Sequence, residues 1–436
     1  MFRPGSAESP LRWAEGAARY ARIRRFRPVP PAAPLTMTDR PTAAVLPSIA
    51  IAGPHWSVAL ALATRAIGLS DPNPRVGCVI IAADGRTVLA SGHTQAAGGP
   101  HAEAMALLDA ATRGVDVRGA TVYVTLEPCA HHGRTPPCCD ALVAAGVAAV
   151  HVATGDPNPL VNGQGSARLR AAGIAVLGAP PEVAAAARAL NVGFFSRMER
   201  GRPWVRVKVA ASLDGRTALD DGRSQWITGP EARADGHAWR ARAGVVLTGV
   251  GTVRDDDPRL DVRGATVAHQ PMRAVVDARL DTPPGARLLP GLGPDGGRAP
   301  ATPHVLLYTL ADAAAGPRAA ALRERGAELV PLPAAPGSDG RRVDLAAVIA
   351  DLHRRAINEV HVEAGARLNG ALLAAGLVDE LLCYLAPTLL GPGRAMAALA
   401  PLADLADKPA FRFVESTRVG ADLRVRLQRD GTPPPA

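Results

Sequence analysis

Lysine is almost missing from this chain: of 49 basic side chains in 436 residues, only Lys208 and Lys408 are lysines. Arginine carries nearly all the positive charge, so a lysine inside an apolar segment calls for an explanation. Aromatic residues are also scarce, at 3%, which is poor material for a surface that stacks bases and argues against nucleic-acid binding. No apolar run reaches the roughly 18 residues of a membrane-spanning helix, and the stretch from Ala141 to Val150 stops at His151. Five cysteines do not make a secreted disulfide framework; they fit a reducing, cytoplasmic setting. There is no Gly-x-Gly-x-x-Gly after a predicted strand, so a standard Rossmann cofactor site is not supported.

The formal charge of +9 is unevenly spread. Residues 1–50 hold eight arginines and three acids, and the remainder is close to balanced. This tail is rich in Pro and Ala and has no helical or strand period, so it is expected to be disordered. It reads as a start placed ahead of Met37, as a solvated extension, or as an Arg-rich targeting peptide. The length predicts two or three domains, and 47% hydrophobic residues suffice to build a core in each.

The strongest chemical signal is His101-Ala102-Glu103, followed by Glu127-Pro128-Cys129 and Cys138. One imidazole and two thiolates suit zinc, and three protein ligands leave a fourth tetrahedral position for water, as in catalytic sites. Glu103 is placed to shuttle a proton beside the metal. A His-x-Glu with a later Pro-Cys pair is the signature of zinc deaminases acting on nucleobase-like rings. A non-catalytic zinc scaffold would need a fourth protein ligand and would leave Glu103 without a task.

Eight residues separate the two cysteines, in place of the usual two. This loop offers His131, Arg134 and Thr135 as donors to a phosphate, and Gly133 allows close backbone approach. Upstream, the turn Pro72-Asn73-Pro74 leads into a predicted strand, and the Asn73 amide can match the donor and acceptor edge of a pyrimidine.

Alternating helical and strand periods from His55 predict a largely parallel, three-layer α/β domain: helices at 55–68, 101–112 and 138–145, strands at 76–82, 120–126 and 147–153. The periodicity lapses around 178–203. The expected domains are therefore 51–200 and 201–430, after the 1–50 tail. Beyond the boundary, Trp204 to Ala210 alternates as a half-buried strand. Lys208 lies on it, and a compact ammonium facing a cleft can change protonation when desolvated, which makes it a candidate catalytic group. Several Gly-containing turns follow apolar strands, at 222–228, 247–253 and 362–368. Together they suit phosphate or pyrophosphate.

Asn-Pro-x-Val-Gly at 73–77, His-Ala-Glu at 101–103 and the run from Thr125 to Cys138 together resemble the bifunctional pyrimidine deaminase/reductase family of riboflavin biosynthesis. The resemblance extends through 204–428 to the family's reductase half, which is similar in fold to dihydrofolate reductase and uses NADPH. It implies a cytidine-deaminase-like first domain and a dihydrofolate-reductase-like second one. The implied chemistry is hydrolytic loss of the 2-amino group of 2,5-diamino-6-(5-phosphoribosylamino)pyrimidin-4-one, with Glu103 carrying protons. NADPH-dependent reduction of the ribosyl chain of 5-amino-6-(5-phosphoribosylamino)uracil then gives ribityl. By motif, the resemblance places Ala210, Trp226, Thr252, Asp256, Gly365, Ala366, Arg367 and Leu368 against the dinucleotide. Ser224, Arg240, Leu260, Arg263 and Glu363 would hold the substrate, the arginines on its phosphate. The expected cofactors are Zn2+ and NADPH, and the expected partners are phosphoribosylated pyrimidines, with neither nucleic acid nor membrane, in a homo-oligomer. His55-Trp56 departs from the acid and tyrosine more often found at that helix start, and Leu289 to Pro303 reads as a surface insertion.

Overall fold

The structure, a computed structural model, describes residues 53–131, 136–159, 161–265, 267–290 and 304–431. The expected disordered tail and most of the expected 289–303 insertion lie outside the described residues. Leu289 itself is buried in a core cluster with Leu288 and Leu307. Chain contacts divide the protein into two compact units: residues 53–66 and 73–191 belong to the first, and 67–72 and 192–431 to the second.

The first unit is built on a five-stranded sheet. Its strands are β1 (Gly77–Ile81), β2 (Val88–His93), β3 (Thr121–Val124), β4 (Ala149–Val152) and β5 (Ala175–Gly178), in the order β2-β1-β3-β4-β5. The sheet is mixed and not largely parallel: β1 runs antiparallel to both β2 and β3, while β3, β4 and β5 are parallel. The reason is a hairpin that periodicity did not reveal. Asp84 accepts the amides of Arg86 and Thr87, and Gly85 takes a φ of 69, so the chain reverses straight from β1 into β2.

Two glycines set the layers. A Cβ on Gly77 would meet the Ala59 carbonyl of helix α1 (Pro54–Thr64) at 1.9 Å, and one on Gly92 would meet the Ala102 carbonyl of α2 (Ala102–Thr112) at 2.5 Å. Gly92 pairs with Cys78, the neighbour of Gly77, so the two glycines point to opposite faces. Helices α1 and α2 therefore cover the sheet from both sides, giving the three layers expected. Trp56, Leu60 and Leu62 of α1 pack with Val79, Ile81 and Val183 in one core. Helices α3 (Cys138–Ala145), α4 (Gln164–Ala171) and α5 (Pro181–Leu190) complete the unit.

The second unit opens with α6 (Val192–Arg200) and contains a nine-stranded sheet, ordered β11-β10-β9-β8-β12-β6-β13-β16-β15. These strands are β6 (Trp204–Ser212), β8 (Val245–Gly249), β9 (Met272–Val276), β10 (Val305–Leu310), β11 (Ala327–Leu332), β12 (Glu359–Val362), β13 (Glu380–Ala386), β15 (Phe411–Val419) and β16 (Asp422–Arg429). Strands β11 through β13 in that order are all parallel, and β16 and β15 close one edge antiparallel. Strands β7 (Arg216–Leu219) and β14 (Gly393–Ala395) form a separate small ribbon. From β6 the chain skips a place to β8 and moves outward, then returns to insert β12 between them. The carboxyl ends of β8 and β12 thus flank a topological switch point, where open α/β sheets hold ligands. The helices are α7 (Pro230–Arg242), α8 (Val250–Asp256), α9 (Pro317–Glu324), α10 (Leu345–Arg354) and α11 (Ala366–Ala374).

All five cysteines are free thiols, and all are buried. Among the described residues no helix is long and apolar enough to cross a membrane.

Candidate active sites

In the first unit, His101 is the N-cap of α2, and Cys138 is the first residue of α3. Cys129 lies in the loop that leaves β3. Three separate elements thus aim their donors at one point. His101 Nδ1 is 3.6 Å from Cys129 Sγ and 3.5 Å from Cys138 Sγ, and all the donor atoms lie within 4.8 Å of one another. Tetrahedral zinc with bonds of about 2.0 Å to nitrogen and 2.3 Å to sulfur sets its ligand atoms roughly 3.5–3.8 Å apart. The cradle therefore fits zinc without rearrangement. Among the described residues no other such cluster is present.

Glu103 sits in the first turn of α2, 3% exposed. Burial, and then the nearby Cys129 thiolate, push its carboxyl up to about 7, where it can take and give a proton at neutral pH. Hydrogen bonding from the Cys138 thiol, and His101 beside it, lower the Cys129 thiol to about 4. Cys139 faces away: its thiol donates to Asp140 Oδ1 at 3.8 Å, and burial raises it to about 11.

Two features of this site were missed in sequence. Glu127 accepts the amides of Gly163 at 2.9 Å and Ser166 at 2.8 Å, so its carboxylate caps the start of α4 and fastens the Cys129 loop to that helix. Gly165 makes the fit possible, since a Cβ there would lie 1.8 Å from the Pro128 carbonyl. The carboxylate preceding Pro-Cys was visible as a motif letter, but its helix lies 36 residues downstream. Asp156, in the turn after β4, is pushed up to about 6 by burial and faces Glu127, Cys129 and His131. His131 is half-buried, and its Nδ1 has no partner among the described residues. Asn73 is half-buried on the turn into β1. Arg134 and Thr135 lie outside the described residues.

In the second unit, β6 presents Arg206, Lys208 and Ala210 on one face. The Lys208 stem passes Gly236 of α7, and its ammonium lies 5.7 Å from the Tyr384 ring centre. Burial lowers its proton affinity, against the opposing charge of Glu363. Glu363 follows β12 and is gripped by Arg240 through both oxygens, with Nη2 to Oε2 at 2.7 Å. Despite its burial, Arg240 holds Glu363 well below the usual carboxylate range. Arg240 Nη1 also donates to the Asp261 carbonyl at 2.8 Å, and that residue adjoins Leu260 and leads to Arg263. Lys208, Arg240, Leu260, Arg263 and Glu363 thus form one neighbourhood. The guanidinium fork of Arg240 is turned on Glu363, whereas Arg263 is half exposed and hydrogen-bonded through Nη1 to Asp261.

At the switch point, a Cβ on Gly365 would lie 3.9 Å from Thr252 Oγ1, and one on Gly249 would lie 3.5 Å from Leu368. The turns after β8 and β12 therefore touch, with Gly365 as N-cap of α11 and Ala366 and Arg367 beside it. These open helix starts suit a pyrophosphate. Asp256 ends α8, its carboxyl raised by burial and by Asp255. Trp226 is 70% exposed, with the Arg233 guanidinium 4.5 Å above its ring, and Ser224 is half-buried two residues before it.

Residues 54–154 match the cytidine and deoxycytidylate deaminase zinc-binding region, and residues 203–425 match the RibD C-terminal domain. The chain is 43% identical to the riboflavin biosynthesis protein RibD of Escherichia coli K12 over 394 residues, 86% of this chain and 98% of that one. It is 35% identical to the Aquifex aeolicus protein of the same name, over 86% and 98%. Its fold is similar to that of Acinetobacter baumannii RibD, with a TM-score of 0.73 at 40% identity, covering 86% of this chain and 98% of that one. A Thermotoga maritima diaminohydroxyphosphoribosylaminopyrimidine deaminase/5-amino-6-(5-phosphoribosylamino)uracil reductase gives a TM-score of 0.71 at 30% identity, covering 85% and 96%. The chain belongs to the RibD family of bifunctional riboflavin biosynthesis enzymes, in which a zinc-binding deaminase domain is joined to an NADPH-dependent reductase domain.

Proposed function

We propose that the chain removes the 2-amino group of 2,5-diamino-6-(5-phosphoribosylamino)pyrimidin-4-one by hydrolysis and then reduces 5-amino-6-(5-phosphoribosylamino)uracil to its ribityl form. The observation that carries the reading is the His101, Cys129 and Cys138 cradle with buried Glu103 beside it. Zinc in that cradle supplies a Lewis acid that makes water nucleophilic at neutral pH. Glu103 would take one proton from the attacking water and pass it to the ring nitrogen, then take the remaining hydroxyl proton and pass it to the amino group, which leaves as ammonia as the C–N bond breaks and the carbonyl forms. Asn73 and His131 would hold the pyrimidine and its phosphoribosyl arm, together with Arg134 and Thr135.

The second unit is the seat of the reduction. NADPH bound there would supply the hydride that reduces C1 of the opened ribosyl chain, the adjacent nitrogen gaining the accompanying proton. Thr252, Asp256 and the 365–368 turn would carry the dinucleotide, with Ala210 and Trp226 at its nicotinamide end. Ser224, Arg240, Leu260, Arg263 and Glu363 would orient the substrate, and Lys208 would set the protonation of the reacting centre. Residues 51–200 and 201–430 are the working domains of this scheme, in a cytoplasmic homo-oligomer. Incubation of the full chain with the diaminopyrimidine, zinc and NADPH tests it directly: ammonia release and NADPH oxidation should appear together, and ammonia release without oxidation would remove the reductase half.

A further inference from the structure

We propose that Arg259 is a second arm of the site that grips the substrate's phosphomonoester, and that Asp261 is the positioning carboxylate that spaces Arg259 from Arg263. This rests on the reading of Arg240, Arg263 and Glu363 as the substrate side of the reductase. Leu260 is buried with a φ of 52, in the left-handed region that bulky side chains avoid. That turn brings the residues on either side of it onto one carboxylate. Arg259 Nε lies 3.1 Å from Asp261 Oδ2, while Arg263 Nη1 donates to Oδ1. The Asp261 side chain is only 11% exposed, whereas both arginine side chains are 53% exposed. Each arginine therefore directs one donor inward to Asp261 and keeps the rest of its planar fork towards solvent.

The surrounding charges leave this outer edge positive. Arg240 is answered by Glu363. The Nδ1 of His237 accepts the Arg263 amide at 3.2 Å, and burial together with Arg240 and Arg263 pushes that ring down to about 4, so it is neutral. Arg273 is buried and donates to the Leu288 carbonyl. One carboxylate thus serves two exposed guanidiniums, and the unmatched charge sits where a dianion could accept a fork from each. A half-exposed ion pair of this kind contributes little to folding. The same chemistry suits the 2′-phosphate of NADPH, but Arg240, which grips Glu363, also donates to the Asp261 carbonyl, so these arginines adjoin the substrate-side residues.

The test uses the full-length enzyme and compares kcat/KM for the phosphorylated aminouracil with that for its dephosphorylated counterpart, alongside calorimetric binding of the phosphorylated compound without NADPH. Arg259→Ala should reduce the preference for the phosphorylated substrate by about tenfold, mainly through KM, and weaken binding in parallel. Arg259→Lys should recover part of the loss, and thermal stability should be unchanged. If Arg263→Ala loses the preference and Arg259→Ala keeps it, the second arm is overturned while the phosphate site stands. If both keep it, the reading of that site fails as well. A shift in NADPH over NADH preference in Arg259→Ala would assign the arginine to the cofactor and also overturn the proposal.

Discussion

One residue of register separates a metal ligand from a bystander at the start of α3. Cys138 Sγ is 3.5 Å from His101 Nδ1, while the adjacent Cys139 thiol turns to Asp140. Cys139→Ser should therefore retain one zinc per chain by elemental analysis, and Cys138→Ser should lose it. Glu103→Gln should keep the metal but lower ammonia release by about two to four orders of magnitude, because a buried proton carrier is removed and no ligand is. Zinc lost with the glutamate would make Glu103 a ligand and end its role as a carrier. At Lys208 the charge-conserving Lys208→Arg should still cost at least about tenfold in NADPH oxidation, since a guanidinium does not give up a proton as a desolvated ammonium can. The metal residues were legible in sequence because zinc demands donor types that rarely fall together. Glu127 was not, because capping depends on a helix that only the fold brings to it.

Among the elements, the contact between α4 and the Cys129 loop is the most exacting. Gly165→Ala would drive a methyl into the Pro128 carbonyl, and a backbone atom cannot swing aside as a side chain can. We expect a loss of about 1–3 kcal/mol in stability, the range for overpacking, with weaker zinc retention on dialysis. A variant that holds zinc as the parent does would show that the loop is fixed by its ligands alone. The helices and most strands of the first unit were readable from periodicity, from α1 through β4. Strand β2 was not, because Val88 to His93 reads Val-Leu-Ala-Ser-Gly-His, which lacks the apolar/polar alternation that marks a strand. Its absence from the reading is why the sheet was expected to be largely parallel. In the second unit β6 was clear as a strand, though it was expected to be half-buried and is buried on both faces as a central strand, and the carboxylates around it were not legible. Arg206 is fully buried between Glu359 and Glu380, residues more than 150 positions away in sequence. No local pattern announces such a partner, since burial of a charge is decided by strands that arrive later.

For the whole molecule, the zinc donors all fall within the first unit and the Lys208 neighbourhood within the second. Removing zinc with a chelator should abolish ammonia release yet leave NADPH oxidation with presynthesised aminouracil at its original rate. Loss of both would tie the second unit's chemistry to the metal. The two motif sets were legible at this scale because each is complete by itself. Periodicity lapses over 178–203, and chain contacts part within that stretch, between Asn191 and Val192. Helix α6 groups with the second unit because Gly193 lies against Asn358 and Glu359, and Arg200 pairs with Asp379.

Strand β6 leaves the ribosome as the first strand of its sheet, but its neighbours β12 and β13 are separated from it by about 150 to 180 residues. At roughly 5–20 residues per second, that strand waits on the order of ten seconds or more with both edges open. Pairing over such separations is also slow to nucleate. The first unit faces no comparable delay, since its zinc donors span only residues 101–138 and can be complete while the reductase is still being translated. Nascent chains halted before Glu359 should therefore hold metal in one half and present an unpaired Val-rich strand to chaperones in the other.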